Sequence, residues 1–343
     1  MLYQPNALVL TLSRKCNLKC EHCIVEAEPR LTERLDIRLI NRILPQAKLH
    51  GINSVLIYGG EPFLFVRDLL PQTLDSIYQA GFMDVQIGTN GFWGHSDEQA
   101  KKTLEEMEEI AGQEDNFLNL VLSIDQYHQP RIPPKSLANI IKQFRLGDFR
   151  HLNLGVQTFR TQESLDAVGE VYAQCWMNGI CLVESNNQGY MYPAMKEEFV
   201  RFIGANYHLI RSKLSLPEDA DEKQILRSIT QYLDIANATN GTISPNIIAR
   251  EIDIGDGLGN YLIFPNKRYY IDFLVERKVL NAGRARRAGR LETGPDESDL
   301  SLLVISPNGQ AYAYPAQMTA QEGVPIGYKP LNQVIWEVGN MLT

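Results

Sequence analysis

Ala7-Leu-Val-Leu-Thr-Leu12 runs without a break into Ser13-Arg-Lys-Cys16-Asn-Leu-Lys-Cys20-Glu-His22-Cys23, an apolar strand feeding a loop with three cysteines. The spacing is C-x3-C-x2-C, and thiolates this close in sequence converge on one centre only if the loop wraps around it. Thiolates suit iron–sulfur clusters and zinc. A closed zinc site takes four Cys or His ligands, often as paired C-x2-C knuckles. His22 would be the fourth ligand here, squeezed beside Cys23, and the other two cysteines, Cys175 and Cys181, lie far downstream. A cubane [4Fe–4S] cluster has four irons, so three protein thiolates leave one iron open to another ligand.

Working outward, the strand-then-loop pattern repeats. Apolar strands are predicted at Ala7–Leu12, Ser54–Tyr58, Asp84–Thr89, Leu118–Ile124, Leu152–Thr158 and Ile180–Glu184. Helical spacing fills the gaps: Ile37, Ile40, Leu44 and Ala47; Leu70, Leu74, Ile77 and Tyr78; Leu104, Met107 and Ile110; Leu165, Val168, Tyr172 and Cys175. Gly51, Gly81 and Gly179 stand where helices should stop. Six strands alternating with helices imply an α/β fold with a parallel sheet. An open doubly wound sheet and a partial barrel both satisfy the pattern. In either, ligands bind beyond the carboxyl ends of the strands. Those ends carry the cysteine loop, Gly59-Gly60-Glu61-Pro62, Thr89-Asn90-Gly91 and Ser123-Ile-Asp125-Gln-Tyr127-His128. Each of the later three has an ordinary reading as a turn, since Gly and Asn dominate turns. Their order at the ends of consecutive strands favours a shared site.

Over about residues 7–185 these motifs together resemble the signature of the radical S-adenosylmethionine (SAM) superfamily. The resemblance implies a partial (β/α)6 TIM-like barrel. It implies one [4Fe–4S] cluster on Cys16, Cys20 and Cys23, with SAM chelating the fourth iron through its amino and carboxylate groups. The reduced cluster then cleaves SAM to methionine and a 5′-deoxyadenosyl radical, which abstracts hydrogen from a substrate. By the same resemblance His22 lies near the adenine, and Gly59, Gly60, Glu61 and Pro62 hold the amino group of SAM. Asn90 lies near the cofactor, and Ser123 and Asp125 contact the ribose or the methionine end. A cellular electron donor such as flavodoxin or ferredoxin is implied as a partner.

Tyr127 and His128 are the candidates for substrate chemistry, His128 as general acid or base and Tyr127 as hydrogen-atom or proton donor. His128 reads equally as a loop anchor. Arg160 and Glu184 are weaker candidates, and Cys175 and Cys181 read as small packed residues. The expected organisation is a radical SAM core at 1–185, an insertion or cap at 186–280 and a C-terminal α+β extension at 281–343. Within the extension, the run from Leu302 to Gly309 and the segment from Ile326 to Trp336 resemble the hairpin and closing helix of SPASM or twitch domains. Those domains normally carry auxiliary clusters with a cysteine just after the hairpin. Here that stretch reads Tyr314-Pro-Ala-Gln317 and no cysteine lies beyond Cys181, so a single cluster is expected. Arg284, Arg286, Arg287 and Arg290 form one basic knot, read as a solvated loop or an anion contact.

A formal net charge of −8 argues against general nucleic-acid binding. No apolar run reaches the roughly 18 residues of a membrane span, and no signal peptide is expected. An open iron–sulfur site needs reducing surroundings, which places the protein in the cytoplasm. Only fifteen residues precede Cys16, so no leader-binding domain is expected ahead of it. The tail and the Asp-x-Tyr-His string point to peptide or natural-product modification. A small molecule (sugar, nucleoside or amino acid) is the alternative substrate, and a non-catalytic metal-binding interaction protein is the remote one.

Overall fold

The computed structural model of the 343-residue chain describes residues 3–113, 116–159, 162–177, 249–254, 257–263, 270–276, 302–319 and 321–342. The expected strand Ile180–Glu184, Gly179, Arg160, Cys181 and the arginine knot lie outside the described residues.

By contacts the chain forms two units, one of Met1–Asn90, Glu106–Val121 and Lys278–Thr343, the other of Gly91–Glu105 and Leu122–Arg277. The first contains β1 (Ala7–Thr11), α1 (Ile37–Leu49), β2 (Ser54–Tyr58), α2 (Leu69–Gln79) and β3 (Asp84–Thr89). α3 (Asp97–Gly112) and β4 (Phe117–Ser123) each belong partly to both units. The second holds α4 (Pro134–Leu146), β5 (Leu152–Phe159), α5 (Gln162–Met177), β6 (Ala249–Ile254), β7 (Gly257–Ile263) and β8 (Tyr270–Glu276). The tail returns to the first unit with β9 (Leu302–Ile305), β10 (Gln310–Tyr312), β11 (Val324–Pro325) and a helix, α6 (Leu331–Asn340).

In the first unit the strand order is β11-β10-β9-β1-β2-β3-β4. β1 is parallel to β2 (Leu8↔Val55) and to β9 (Leu10↔Ile305), and β2 is parallel to β3 (Val55↔Val85). All five residues of β1 are buried, as befits a strand covered on both faces of a parallel sheet. β10 turns back antiparallel on β9 as a hairpin. In the second unit β8 lies parallel to β5 (Leu154↔Ile271), while β6 and β7 are antiparallel. The parallel neighbour of β5 is thus drawn from 270–276, a segment expected to belong to the cap. Strands alternating with helices, in parallel register, are those of a partial TIM-like α/β fold.

Local chemistry explains the boundaries. Asp36 caps α1 by accepting from the Arg38 amide at 2.9 Å. Ile40, Ile43, Leu44 and Ala47 form its buried stripe. Gly51 and Gly81 follow α1 and α2 with φ of +80°, the left-handed turn a glycine makes at least cost.

Candidate functional site: a cysteine loop braced by a Gly-Gly-Glu turn

After β1 the chain winds into the cysteine loop through short-range hydrogen bonds. Cys23 N–H donates to Cys20 O at 3.3 Å, and Cys16 N–H donates to Glu28 O at 3.3 Å. Glu28 closes the loop at its far end: its amide donates to Arg14 O at 3.0 Å, and its carboxylate pairs with Lys19 at 2.8 Å and with Arg30. The Lys19 hydrogen bond, with that of Arg30, holds the Glu28 carboxyl down to about 2, so this clamp stays charged at neutral pH. Glu26 has a left-handed backbone, φ 56°, a conformation that costs a non-glycine residue about 1–2 kcal/mol. It stands just before Ala27, whose N–H reaches the Cys23 sulfur.

The residues fit an iron–sulfur cluster. Cys16, Cys20 and Cys23 form no disulfide. Leu18 N–H donates to Cys16 Sγ at 3.4 Å and Ala27 N–H to Cys23 Sγ at 3.2 Å. Such bonds stabilise sulfur as thiolate, the form that ligates metal. Burial pushes the Cys16 thiol well up, and the charges of Glu61, Cys20 and Cys23 push it further. This crowd of acidic groups is one that a bound cation relieves.

The turn after β2 packs directly on that loop. Gly60 N–H donates to Ser13 O at 2.9 Å and Glu61 N–H to Lys15 O at 3.0 Å. A Cβ on Gly60 would lie 2.0 Å from Lys15 O, and one on Gly59 (φ +136°) 2.4 Å from Thr11 Cγ2. Only glycine allows this approach. Pro62 starts a single 3-10 turn, Pro62–Phe65, and is buried. Glu61, 2% exposed, accepts from Phe63 N–H at 3.1 Å, Thr89 Oγ1 at 2.8 Å and Asn90 N–H at 2.8 Å. It therefore ties the end of β2 to the end of β3. The Asn90 side-chain Nδ2 then donates to Asn17 Oδ1 at 2.8 Å, inside the cysteine loop, and to Cys16 Sγ at 3.8 Å.

So the first unit brings together Cys16, Cys20, Cys23, Gly59, Gly60, Glu61, Pro62 and Asn90, and His22 lies half-buried within the same loop. Ser123, Asp125, Tyr127 and His128 belong to the second unit and form their own group at the end of β4. Asp125 is buried; one oxygen accepts from the amides of Tyr127 (2.8 Å) and His128 (3.1 Å). Its other oxygen meets His128 Nδ1 at 2.7 Å. The Tyr127 ring is buried edge-on against Phe159, centroids 5.7 Å apart. Ser123 is half-buried at the strand end. The sequence reading passed over Thr89, Asn17 and Glu28. Thr89 stood in the quoted Thr-Asn-Gly element, but the role of the other two depends on contacts with distant or non-motif residues.

Three thiols on the loop after the first strand of a parallel α/β fold are a donor set that suits an iron–sulfur cluster. Residues 10–180 match the family described as the Radical SAM superfamily, and the chain belongs to that superfamily. Its members use a [4Fe–4S] cluster and SAM. Among curated proteins it is similar to YydG of Bacillus subtilis (strain 168), a protein assigned to peptide biosynthesis: 28% identity over 140 residues, 40% of this chain and 41% of that one. It is also similar to a protein of Saccharolobus islandicus (strain M.14.25 / Kamchatka #1) assigned as a GTP 3′,8-cyclase: 40% identity over 88 residues, 25% of this chain and 27% of that one. The matches thus span well under half of either relative. Among solved structures it is similar to Streptococcus suis SuiB bound to S-adenosylmethionine. There the identity is 17% and the TM-score 0.49, covering 99% of this chain and 68% of the other. No helix among the described residues is long and apolar enough to cross a membrane.

Proposed function

We propose that this protein is a radical SAM enzyme with a single [4Fe–4S] cluster that modifies a peptide by hydrogen abstraction. The observation that carries the reading is the loop of Cys16, Cys20 and Cys23 locked against Gly59-Gly60-Glu61. When bound, the cluster and SAM supply a reducing electron and a 5′-deoxyadenosyl radical able to take hydrogen from a substrate carbon. The chain's own part is to hold and to orient. Three thiolates hold the cluster and leave a coordination position for SAM. Within the first unit the Gly59–Pro62 turn, Asn90 and His22 serve SAM; Ser123 and Asp125 are further candidates for cofactor contact, at the end of β4. Glu61 acts chiefly through the backbone it braces, since both of its oxygens already accept hydrogen bonds.

His128 serves as the proton-handling group. Asp125 engages Nδ1, so a proton exchanged with substrate passes through Nε2. Tyr127, buried edge-on against Phe159, is the alternative hydrogen-atom or proton donor. Residues 1–185 make the core in this reading, with 186–280 a cap and 281–343 a cluster-free tail. A flavodoxin or ferredoxin in the cytoplasm supplies the electron.

The similarity to YydG, which runs over 140 residues, favours a peptide. The shorter but closer match to a GTP 3′,8-cyclase supports a second reading, a small-molecule substrate. Anaerobic reconstitution, dithionite reduction with SAM and chromatography for 5′-deoxyadenosine test the chemistry. The expected result is about four irons per chain with 5′-deoxyadenosine formed, and neither in Cys20→Ala. Zinc in place of iron, or undiminished SAM cleavage by Cys20→Ala, would overturn the assignment.

A further inference from the structure

Arg14 and Glu33 line one wall of a cleft of about 600 Å3, and the tail hairpin lines the other with Ser306, Gln310, Tyr312 and Gln321. The cleft lies wholly within the first unit. It opens beyond the paired ends of β1 and β9, where Leu10 faces Ile305. Carboxyl ends of parallel strands are where α/β folds bind ligands, and the volume falls in the usual range of roughly 300–1,000 Å3.

Its polar groups alternate between donors and acceptors. Arg14 directs both Nε (2.7 Å) and Nη2 (2.6 Å) at one oxygen, Glu33 Oε1, and each side chain keeps about a third of its surface exposed. The pair therefore presents a guanidinium edge and a second carboxylate oxygen side by side. Tyr312, 2% exposed, donates its hydroxyl to Gln310 Oε1 at 2.7 Å, and Gly323 N–H donates to the same oxygen at 3.1 Å. With its oxygen doubly engaged, Gln310 offers the amide NH2 as a donor beside the Glu33 acceptor, while the Tyr312 oxygen is already engaged by Ser306. Burial raises the Tyr312 phenol above its usual value, so it stays neutral.

A peptide main chain presents this same alternation, C=O beside N–H. A phosphate does not match: Arg14 is already neutralised by Glu33, and Glu322 on the rim adds negative charge. We propose that the cleft between the cysteine-loop entry and the tail hairpin binds an extended stretch of peptide main chain. The proposal rests on the peptide reading above for the class of substrate and adds the place where it docks.

Met318 also lines the cleft, which makes its methyl group a reporter among the eight methionines of the chain. The test is methionine-methyl NMR of the reconstituted full-length protein, with Met318 assigned through Met318→Leu. The probe is tetraglycine blocked as acetyl and amide, with GTP as a separate arm. A saturable shift of Met318 with the blocked tetraglycine is expected. The rim double variant Gln321→Ala/Glu322→Ala should weaken it roughly fivefold.

No Met318 shift with the peptide, a shift with GTP alone, or a peptide shift unchanged in the double variant would each overturn the proposal. 5′-Deoxyadenosine formation by the same preparation separates the two claims. Radical chemistry without a Met318 shift sinks only the cleft. A Met318 shift without radical chemistry sinks the enzyme reading and leaves the cleft standing.

Discussion

Glu61 is a carboxylate with 2% of its surface exposed, and a charge buried that deeply is tolerated only when hydrogen-bonded. Its three donors come from Phe63, Thr89 and Asn90. Glutamine has the same shape but one acceptor oxygen, so in Glu61→Gln an NH2 group faces an N–H, either that of Asn90 or that of Phe63. The expected loss is about 2 kcal/mol, or roughly 4–8 °C in Tm for a unit of this size. Thr89→Val removes one donor and leaves the carboxylate two, so about 1 kcal/mol is expected. Thermal unfolding of the cluster-free protein makes the comparison, because without cluster or SAM only the bracing is measured. An unchanged Tm for Glu61→Gln would show that the brace carries no stability.

At the scale of elements, the turn after β2 and the loop after β1 are one assembly whose spacing glycine sets. The atoms that a Gly60 side chain would meet are backbone: Lys15 O at 2.0 Å, Lys15 C at 2.7 Å and Ser13 O at 3.0 Å. They cannot swing aside as a flexible side chain would. Gly60→Ala should therefore part the two segments, break the hydrogen bonds to Ser13 and Lys15, and cost about 1–3 kcal/mol. Iron bound after reconstitution should fall well below wild type. Gly51→Ala is the control, since it meets nothing within 4 Å and pays only for its left-handed φ. Full iron loading by Gly60→Ala would refute the coupling.

Much of this architecture was legible in the sequence for local reasons. β2 and β3 were read to the residue, and β1, β4 and β5 to within one, because β-branched and aliphatic runs bounded by turns carry their own signal. The cysteines and the Gly-Gly-Glu turn were legible because spacing and glycine are local too. The pairing of β9 with β1 was not, nor the bond from Asn90 to Asn17, nor the cleft that Gln310 shares with Arg14. Leu302–Ile305 is a short apolar run whose partner no neighbouring residue betrays, and polar side chains that meet across the fold leave no period in the sequence.

At the scale of the whole chain, the first unit is closed by its two ends. β9 lies along β1, and Tyr3 donates its hydroxyl to Leu302 O. Val9 packs with Val304 and Tyr312. α6 sits against α1, with Leu331 N–H donating to Gln46 Oε1 at 2.8 Å and Arg42 reaching Lys329 O at 3.2 Å. Leu303, Val304, Ile305, Ile326, Leu331, Val334 and Val338 are buried. At about 1.5–3 kcal/mol for each fully buried aliphatic side chain, their sum rivals the roughly 5–15 kcal/mol net stability of a whole domain. Deleting the tail would also bare the edge of β1, an apolar strand that an unfolding chain offers to its neighbours. A chain truncated after residue 301 should therefore appear in the insoluble fraction, or as soluble protein without cooperative unfolding, and should hold no cluster. If it instead stays soluble, melts cooperatively and loads iron like the full chain, the tail is an appendage and the strand bearing the cysteine loop stands without it.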